Sequence, residues 1–249
     1  MLGVVGHCYE ILQNDRAFEF FEPFIDSGMA SFETAGALRD GERVWVLTKL
    51  ADPIWVVADD VVERYLLLSN SHDGRGAVSI RFTPVRVVCQ NTLNLATKGG
   101  SATVHVRHTR HMRRRLHQAQ QEKLAQVIET TFQTATALFR LMAEVRLTDE
   151  VRTTYLEHVL PRTAKQKADG VMPDRWKRVA AIMGDERLTP APTRHTLWAL
   201  YNAVVRDEDY RGTRERQPER RLERVWFGSG SDIKLKALAR ARWFANKAA

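Results

Sequence analysis

Short apolar runs separated by turn-forming residues fill the first hundred positions of the chain, which predicts a series of β-strands. Residues 78–82 alternate between apolar and polar side chains, as expected for a strand with one buried face. Asp40-Gly41 lies between two such runs and is a strong hairpin signal. Hairpin spacing favours an antiparallel sheet. The predicted strands are residues 4–9, 32–38, 44–50, 54–57, 65–68, 77–82 and 104–108.

A helix start signal follows the strand that ends at Phe82. Thr83 suits the N-cap, and Pro84 suits the first helical position because its missing N–H has no intrahelical partner there. We therefore predict a helix over residues 84–97, packed across one face of the sheet. The apolar residues that follow have helical spacing: Val85, Val88, Cys89, Leu93 and Ala96.

Helical spacing dominates from Thr109 onward, interrupted by proline and glycine. Residues 206–221 are highly charged and are predicted to form a loop. The predicted fold class is α+β: an N-terminal antiparallel sheet with packed helices, followed by a mainly helical C-terminal part. Residues 1–108 would form the sheet domain and residues 109–249 the helical basic region. The predicted helices are residues 14–24, 109–142, 148–160, 173–183, 196–205 and 232–246.

Charge is distributed unevenly along the 249 residues. Residues 1–100 contain 9 Lys and Arg against 13 Asp and Glu, whereas residues 101–249 contain 29 against 17. A basic second part suggests a polyanionic partner. The 44% hydrophobic content argues against wholesale disorder, and no apolar run has the length of a membrane span. Two separated cysteines, Cys8 and Cys89, fit a reduced, cytoplasmic protein better than a disulfide framework.

Several segments resemble one protein family. They are SNSHDGRGAV followed by TPVRVVCQNTLN, with LGVVGHCYEILQN, ETAGALRDGERVW, ALYNAVVRD and RVWFGSG in the same order. The chain is similar to a phage- and plasmid-like family with a domain of unknown function. The resemblance implies a mobile-element origin, a cytoplasmic protein and a further segment before the LGVVG piece. It supplies no catalytic residues.

The candidate binding residues lie mainly at the predicted junction between the last strand and the long helix. Four histidines and a run of three arginines fall within residues 105–117, where a helix N-terminus would add N–H groups suited to phosphate oxygens. Arginine also stacks on unpaired bases. The alternative is a solvated helical face whose arginines pair with Glu122 or with the acidic first part. The predicted nucleic-acid-binding residues are Arg75, Arg81, Arg86, Arg107, Arg110, Arg113, Arg114 and Arg115.

Other chemistry is weakly indicated. His105, His108 and His111 have no paired cysteines or carboxylate nearby, so we predict no metal site, and no other cofactor. A catalytic arrangement in which Asp73 orients His72 and Cys89 is the nucleophile is disfavoured. Adjacent residues in a tight turn rarely orient each other in this way, and a cysteine in an apolar helical stripe usually acts as a small hydrophobic residue. We predict no catalytic residues and do not expect an enzyme.

Two functions follow as hypotheses. The first is a mobile-element nucleic-acid-binding protein, with single-stranded DNA favoured, that binds or anneals strands. The β-β-β-α order predicted for residues 44–97 is broadly similar to the core of phage single-strand annealing proteins, which would imply a homo-oligomer. The alternative is a protein–protein interaction module that acts on host factors without catalysis. Neither requires a membrane.

Overall fold

A computed structural model describes residues 4–58, 60–74, 76–87, 91–92, 96–97, 100–101, 103–118, 124–211 and 218–248. The predicted α+β class is confirmed, because the strands all lie between residues 30 and 106 and the described chain after them is mostly helical. The strands are β1 (Ala30–Leu38), β2 (Arg43–Leu50), β3 (Ile54–Val57), β4 (Asp60–Glu63), β5 (Tyr65–Ser71), β6 (Val78–Phe82), β7 (Val85–Arg86), β8 (Asn91–Thr92), β9 (Ala96–Thr97), β10 (Gly100–Ser101) and β11 (Thr103–Val106).

The helices lie on both sides of this run of strands in the sequence. A 3-10 turn at Glu19–Phe21 connects the first two, and another at Ala191–Thr193 precedes the eighth. The α-helices are α1 (Asn14–Phe18), α2 (Glu22–Asp26), α3 (Met112–Gln118), α4 (Leu124–Glu144), α5 (Asp149–Val159), α6 (Ala164–Ala168), α7 (Asp174–Gly184), α8 (Leu197–Tyr210), α9 (Pro218–Phe227) and α10 (Ser229–Ala248).

The chain forms two compact units, and each of them is discontinuous in sequence. The first unit comprises Met1–Pro53, Glu63–Pro84 and Thr97–Gln133. The second unit comprises Ile54–Val62, Val85–Ala96 and Thr134–Ala249. The domain division between residues 108 and 109 stays a prediction.

A five-stranded antiparallel sheet forms the centre of the first unit, in the order β1-β2-β5-β6-β11. Arg39 and Asp40 both have positive φ, which is the backbone required by the tight hairpin between β1 and β2. The predicted hairpin at Asp40-Gly41 is therefore confirmed. The buried apolar side chains of this unit come from the sheet and from the N-terminal helices, and include Phe20, Phe21, Val46, Leu66, Leu68, Val78, Ile80 and Phe82.

Helix α8 is the centre of the second unit. Its side chains are buried from Leu197 to Val205, which is the pattern of a helix surrounded by protein. The Thr196 side chain accepts a hydrogen bond from the Ala199 N–H and caps its N-terminus. The same unit contains a small sheet in the order β3-β4-β7-β8.

The predicted helix over residues 84–97 is wrong. Val85 and Arg86 form β7, which pairs antiparallel with Thr92 and Asn91 of β8. The local signals were compatible with a helix, but Arg86 pairs with the distant carboxylate of Asp60, and β7 lies beside the distant strand β4 in the small sheet. Such tertiary contacts override a modest helical preference. The part of this prediction that concerns Cys89 lies outside the described residues.

Two other predictions need correction. Residues 4–9 contain no strand. The helix predicted over residues 109–142 is observed as α3 and α4, and residues 119–123 between them lie outside the described part. Within the predicted loop 206–221, α8 continues to Tyr210 and α9 begins at Pro218.

Two further features concern membrane-spanning helices and the state of a cysteine. Among the described residues, no helix combines the length and the apolar character needed to cross a membrane. Cys8 is exposed and its thiol is free.

Candidate nucleic-acid interface

Five arginines are exposed on the surface segment that leads from β11 into α3. Arg107 follows the strand, Arg110 lies in the turn, and the other three lie on the helix. Met112 and Leu116 lie one helical turn apart and are buried, so they fix the inner face of α3 and leave the remaining positions outside. We call this set the arginine cluster: Arg107, Arg110, Arg113, Arg114 and Arg115.

The arginine cluster has little compensating charge. The Arg113 Nε lies 2.9 Å from Glu10 Oε1, and this arginine side chain is still 74% exposed. Within the described part of the chain, the other four arginines have no carboxylate within salt-bridge distance. Pairing with the acidic first part is therefore observed at Arg113, and Glu122 lies outside the described residues.

Positive charge also gathers on β6. Arg81 is half-buried, and its pKa is lowered by burial and then by the charge of Arg43. The pKa of His105 on β11 is lowered by burial and by Arg81. The sheet register explains this proximity, since β6 and β11 are paired neighbours. Arg81 therefore lies among other basic side chains of the first unit, and its role in nucleic-acid binding stays a prediction.

The prediction for Arg86 is corrected. Its side chain is 0% exposed, and its Nε donates to Asp60 Oδ1 at 2.7 Å. A guanidinium committed to a buried carboxylate cannot reach a phosphate on the surface, so Arg86 has no part in the interface. Arg75 lies outside the described residues.

The signature turn, residues 71–76, is explained by turn chemistry. Asp73 Oδ1 accepts from the Ser71 Oγ at 2.8 Å and from the Gly76 N–H at 3.0 Å. Gly74 has φ +75°, and a Cβ on Gly76 would lie 2.3 Å from the Ser71 Cβ. Both glycines are therefore required by the backbone, as predicted for Asp73-Gly74.

The N-terminal segment, residues 4–14, lies against this turn and the start of the arginine cluster. The Tyr9 ring stacks on His108 with centroids 4.4 Å apart and planes at 11°. The Tyr9 hydroxyl donates to the Ser71 carbonyl at 2.9 Å. His108, which was grouped with the surface residues of 105–117, is instead buried.

Two polar side chains of the sheet hold the other end of the N-terminal segment. Asn70 Nδ2 donates to the Leu12 carbonyl at 2.9 Å, and His72 Nε2 lies 2.8 Å from Asn14 Oδ1. His72 is thus oriented by Asn14 rather than by Asp73, which contradicts a His72–Asp73 catalytic pair. The sequence offered a signal here, the family-like LGVVGHCYEILQN piece, but its apolar residues were interpreted as a strand.

The protonation of His108 follows from its partners. Its Nδ1 lies 3.0 Å from the Glu10 carbonyl, which can only accept, so this nitrogen carries the proton. Its Nε2 is buried and has no hydrogen-bond partner in the described part of the protein. Burial lowers the pKa of His108, although the bond to Glu10 raises it, and burial likewise lowers the pKa of His72.

We expect the stability of the protein to fall as the pH drops below about 6.5, the ordinary histidine value. Below this pH the two histidines bind protons in the unfolded chain but stay neutral in the folded protein, because their folded pKa values are lowered. Acidification therefore favours unfolding, and the free energy of unfolding falls by at most about 1.4 kcal/mol per pH unit for each proton bound. Urea unfolding between pH 5 and 8, roughly the range of histidine titration, measures this.

The matched variants are His108→Gln, which should flatten the pH dependence, and His111→Gln, an exposed histidine, which should leave it unchanged. Glutamine keeps a donor for the Glu10 carbonyl but does not titrate. A His108→Gln profile as steep as that of the unaltered protein would show that this buried histidine does not control the acid response.

The chemistry available at this surface is anion binding. Exposed guanidinium groups form bidentate hydrogen bonds with phosphate oxygens. Among the described residues, no group of three or more His, Cys, Asp or Glu side chains is placed to hold a metal ion.

These features define an α+β protein with a basic surface segment on its first unit. The chain belongs to the family described as "Domain of unknown function (DUF932)", whose model matches residues 1–226. The resemblance to a family with a domain of unknown function is therefore confirmed, while its phage and plasmid character stays a prediction. No curated protein and no solved structure matches the chain.

Proposed function

We propose that this protein is a mobile-element nucleic-acid-binding protein of the cytoplasm that prefers single-stranded DNA. The arginine cluster supports this proposal. Its five arginines are exposed within nine consecutive positions, and Glu10 is the one carboxylate paired with them among the described residues. Concentrated positive charge of this kind is the electrostatic footprint of a phosphate-backbone contact.

The preference for single strands rests on the chemistry of arginine. A guanidinium plane stacks on unpaired bases as well as binding phosphate, and such stacking does not depend on sequence. The comparison with single-strand annealing proteins loses its basis, because residues 85–86 and 91–92 are strands where the analogy needs a helix. We therefore propose binding without proposing annealing or ring assembly.

The triple variant Arg113→Ala/Arg114→Ala/Arg115→Ala should reduce the dependence of DNA affinity on salt. If all three arginines contact phosphates, the slope of log affinity against log salt should fall by about 2 units on a single strand and about 3 on a duplex. Fluorescence anisotropy of a labelled oligonucleotide at several salt concentrations measures the slope.

A matched control removes three exposed basic residues of the second unit, as Arg152→Ala/Lys165→Ala/Lys177→Ala. This control lowers the net charge by the same amount. If only the first triple variant shows a smaller salt slope, the effect depends on the position of the arginines and not on the total charge. Equal slopes for the unaltered protein and the first triple variant would remove residues 113–115 from the interface.

A further inference from the structure

A second concentration of arginine lies in the second unit, around a cavity of 360 Å³. The cavity is formed where α7 approaches α8, and residues one helical turn apart on each helix line it. Its walls are Arg178, Ile182, Arg206, Asp207, Tyr210 and Arg211. Three of the six lining residues are arginines, so the cavity presents guanidinium groups. We call it the arginine pocket.

Buried carboxylates hold two of these arginines in place. Asp207 Oδ1 accepts from Arg178 Nε at 2.7 Å, and Glu208 Oε1 lies 3.4 Å from the Arg211 guanidinium. Both carboxylates are buried, whereas the Arg178 and Arg211 side chains are 49% and 42% exposed. The acidic groups thus lie beneath the arginines, whose outer parts remain accessible.

The carboxylates are outnumbered by the arginines around them. Arg175 bonds both Asp207 and Glu208, and Arg224 bonds Glu208 as well. The Arg206 and Arg221 guanidinium groups lie 4.0 and 4.5 Å from the centre of the Tyr210 ring. Among the described residues, four arginines thus contact the two carboxylates, and two more lie on the adjacent Tyr210 ring.

Neighbouring acidic groups do not remove this excess. Asp209 is paired with Lys234 at 2.9 Å. Asp185 is paired with Arg187 at 2.8 Å, and its pKa is lowered mainly by that partner and only slightly by Arg206. Each of these two acids is bonded to a base outside the pocket lining, and among the described lining residues three arginines face one carboxylate.

We propose that the arginine pocket binds a phosphate-bearing anion. Guanidinium groups recognise phosphate oxygens bidentately, and the fixed orientation of Arg178 and Arg211 reduces the entropy lost on binding. The cavity volume suits a ligand of the size of a nucleotide or a pyrophosphate. This site lies in the other unit from the arginine cluster and does not depend on it.

Isothermal titration calorimetry of the full chain with inorganic pyrophosphate tests the proposal. We expect one saturable site, weakened about tenfold or more in Arg206→Gln/Arg211→Gln, because two charge-assisted contacts are lost. The control Arg152→Gln/Lys165→Gln removes two exposed basic residues that do not line the pocket and should bind as the unaltered protein does. The single variants Arg206→Gln and Arg211→Gln serve if the double variant does not fold.

No saturable binding by the unaltered protein, or equal affinity in the folded pocket variants, would overturn the proposal. The source of the phosphate is found by anisotropy with labelled oligothymidine. A lower affinity in the pocket variant identifies a nucleic-acid backbone, and an unchanged affinity identifies a small phosphorylated ligand. The variant Arg113→Ala/Arg114→Ala/Arg115→Ala should keep its pyrophosphate site, which separates this test from that of the proposed function.

Discussion

Replacing Arg86 by methionine should lower the free energy of unfolding by about 3–5 kcal/mol, since it leaves a buried carboxylate without its partner. Asp60 is 2% exposed and receives two hydrogen bonds from Arg86. Within the described part of the chain, the only other donor to Asp60 is Trp198 Nε1, at 2.9 Å. A single neutral N–H cannot compensate a carboxylate that has been removed from water. Urea unfolding followed by circular dichroism and tryptophan fluorescence measures the loss.

The matched control is Arg152→Met, which breaks an exposed pair with Asp149 and should change stability by less than about 1 kcal/mol. The double variant Asp60→Leu/Arg86→Met should regain part of the loss, because no buried charge is left, although the Trp198 N–H then lacks an acceptor. An Arg86→Met protein as stable as the control would contradict the buried ion pair.

The second large effect is expected for Lys234→Met, which should also cost about 3–5 kcal/mol. Lys234 on α10 and Asp209 on α8 are 0% and 1% exposed and lie 2.9 Å apart. The pKa of Tyr201 is raised mainly by burial and further by the negative charge of Asp209, which lies close to it. Methionine retains the volume of lysine but leaves Asp209 charged and buried, so the packing between the two helices should weaken.

Lys177→Met is the appropriate comparison, because its partner Asp174 is 85% exposed and the pair lies on the surface of α7. This control should be nearly neutral. Should the two lysine variants lose the same small amount of stability, other groups would have to compensate the Asp209 charge, and the Lys234–Asp209 pair would not stabilise the contact between α8 and α10.

Local signals were sufficient where a short stretch of sequence determines the backbone. Arg39, Asp40 and Gly41 have the positive φ of the tight turn that joins β1 and β2, and the Asp40-Gly41 pair predicted a hairpin here. Thr196 was correctly taken as the start of α8, because its hydroxyl supplies the cap. These features depend on neighbours within a few residues.

Long-range pairing decided the features that sequence reasoning missed. Arg86 was assigned to a helix and to a surface, yet its conformation depends on Asp60, which is 26 positions away. The strand β3 was expected in the main sheet but belongs to the small sheet with β4, β7 and β8. No local pattern specifies which of two sheets a short strand will join.

The candidate site was predictable in part. The exposure of Arg113–Arg115 follows from their spacing around Met112 and Leu116, because a helix with one apolar face leaves its other faces outside. The contact between Tyr9 and His108 was not predictable, since it joins residues 99 positions apart in sequence. The arginine pocket was missed because residues 206–221 were interpreted as a loop.

The central claim, binding of single-stranded DNA through exposed arginines, is tested most directly by fluorescence anisotropy. A labelled single-stranded oligonucleotide and its duplex are each titrated with the protein at several salt concentrations. The account predicts tighter binding to the single strand, with an affinity that falls as salt rises. Absence of binding to either form at low salt would contradict it and would direct the search to protein partners.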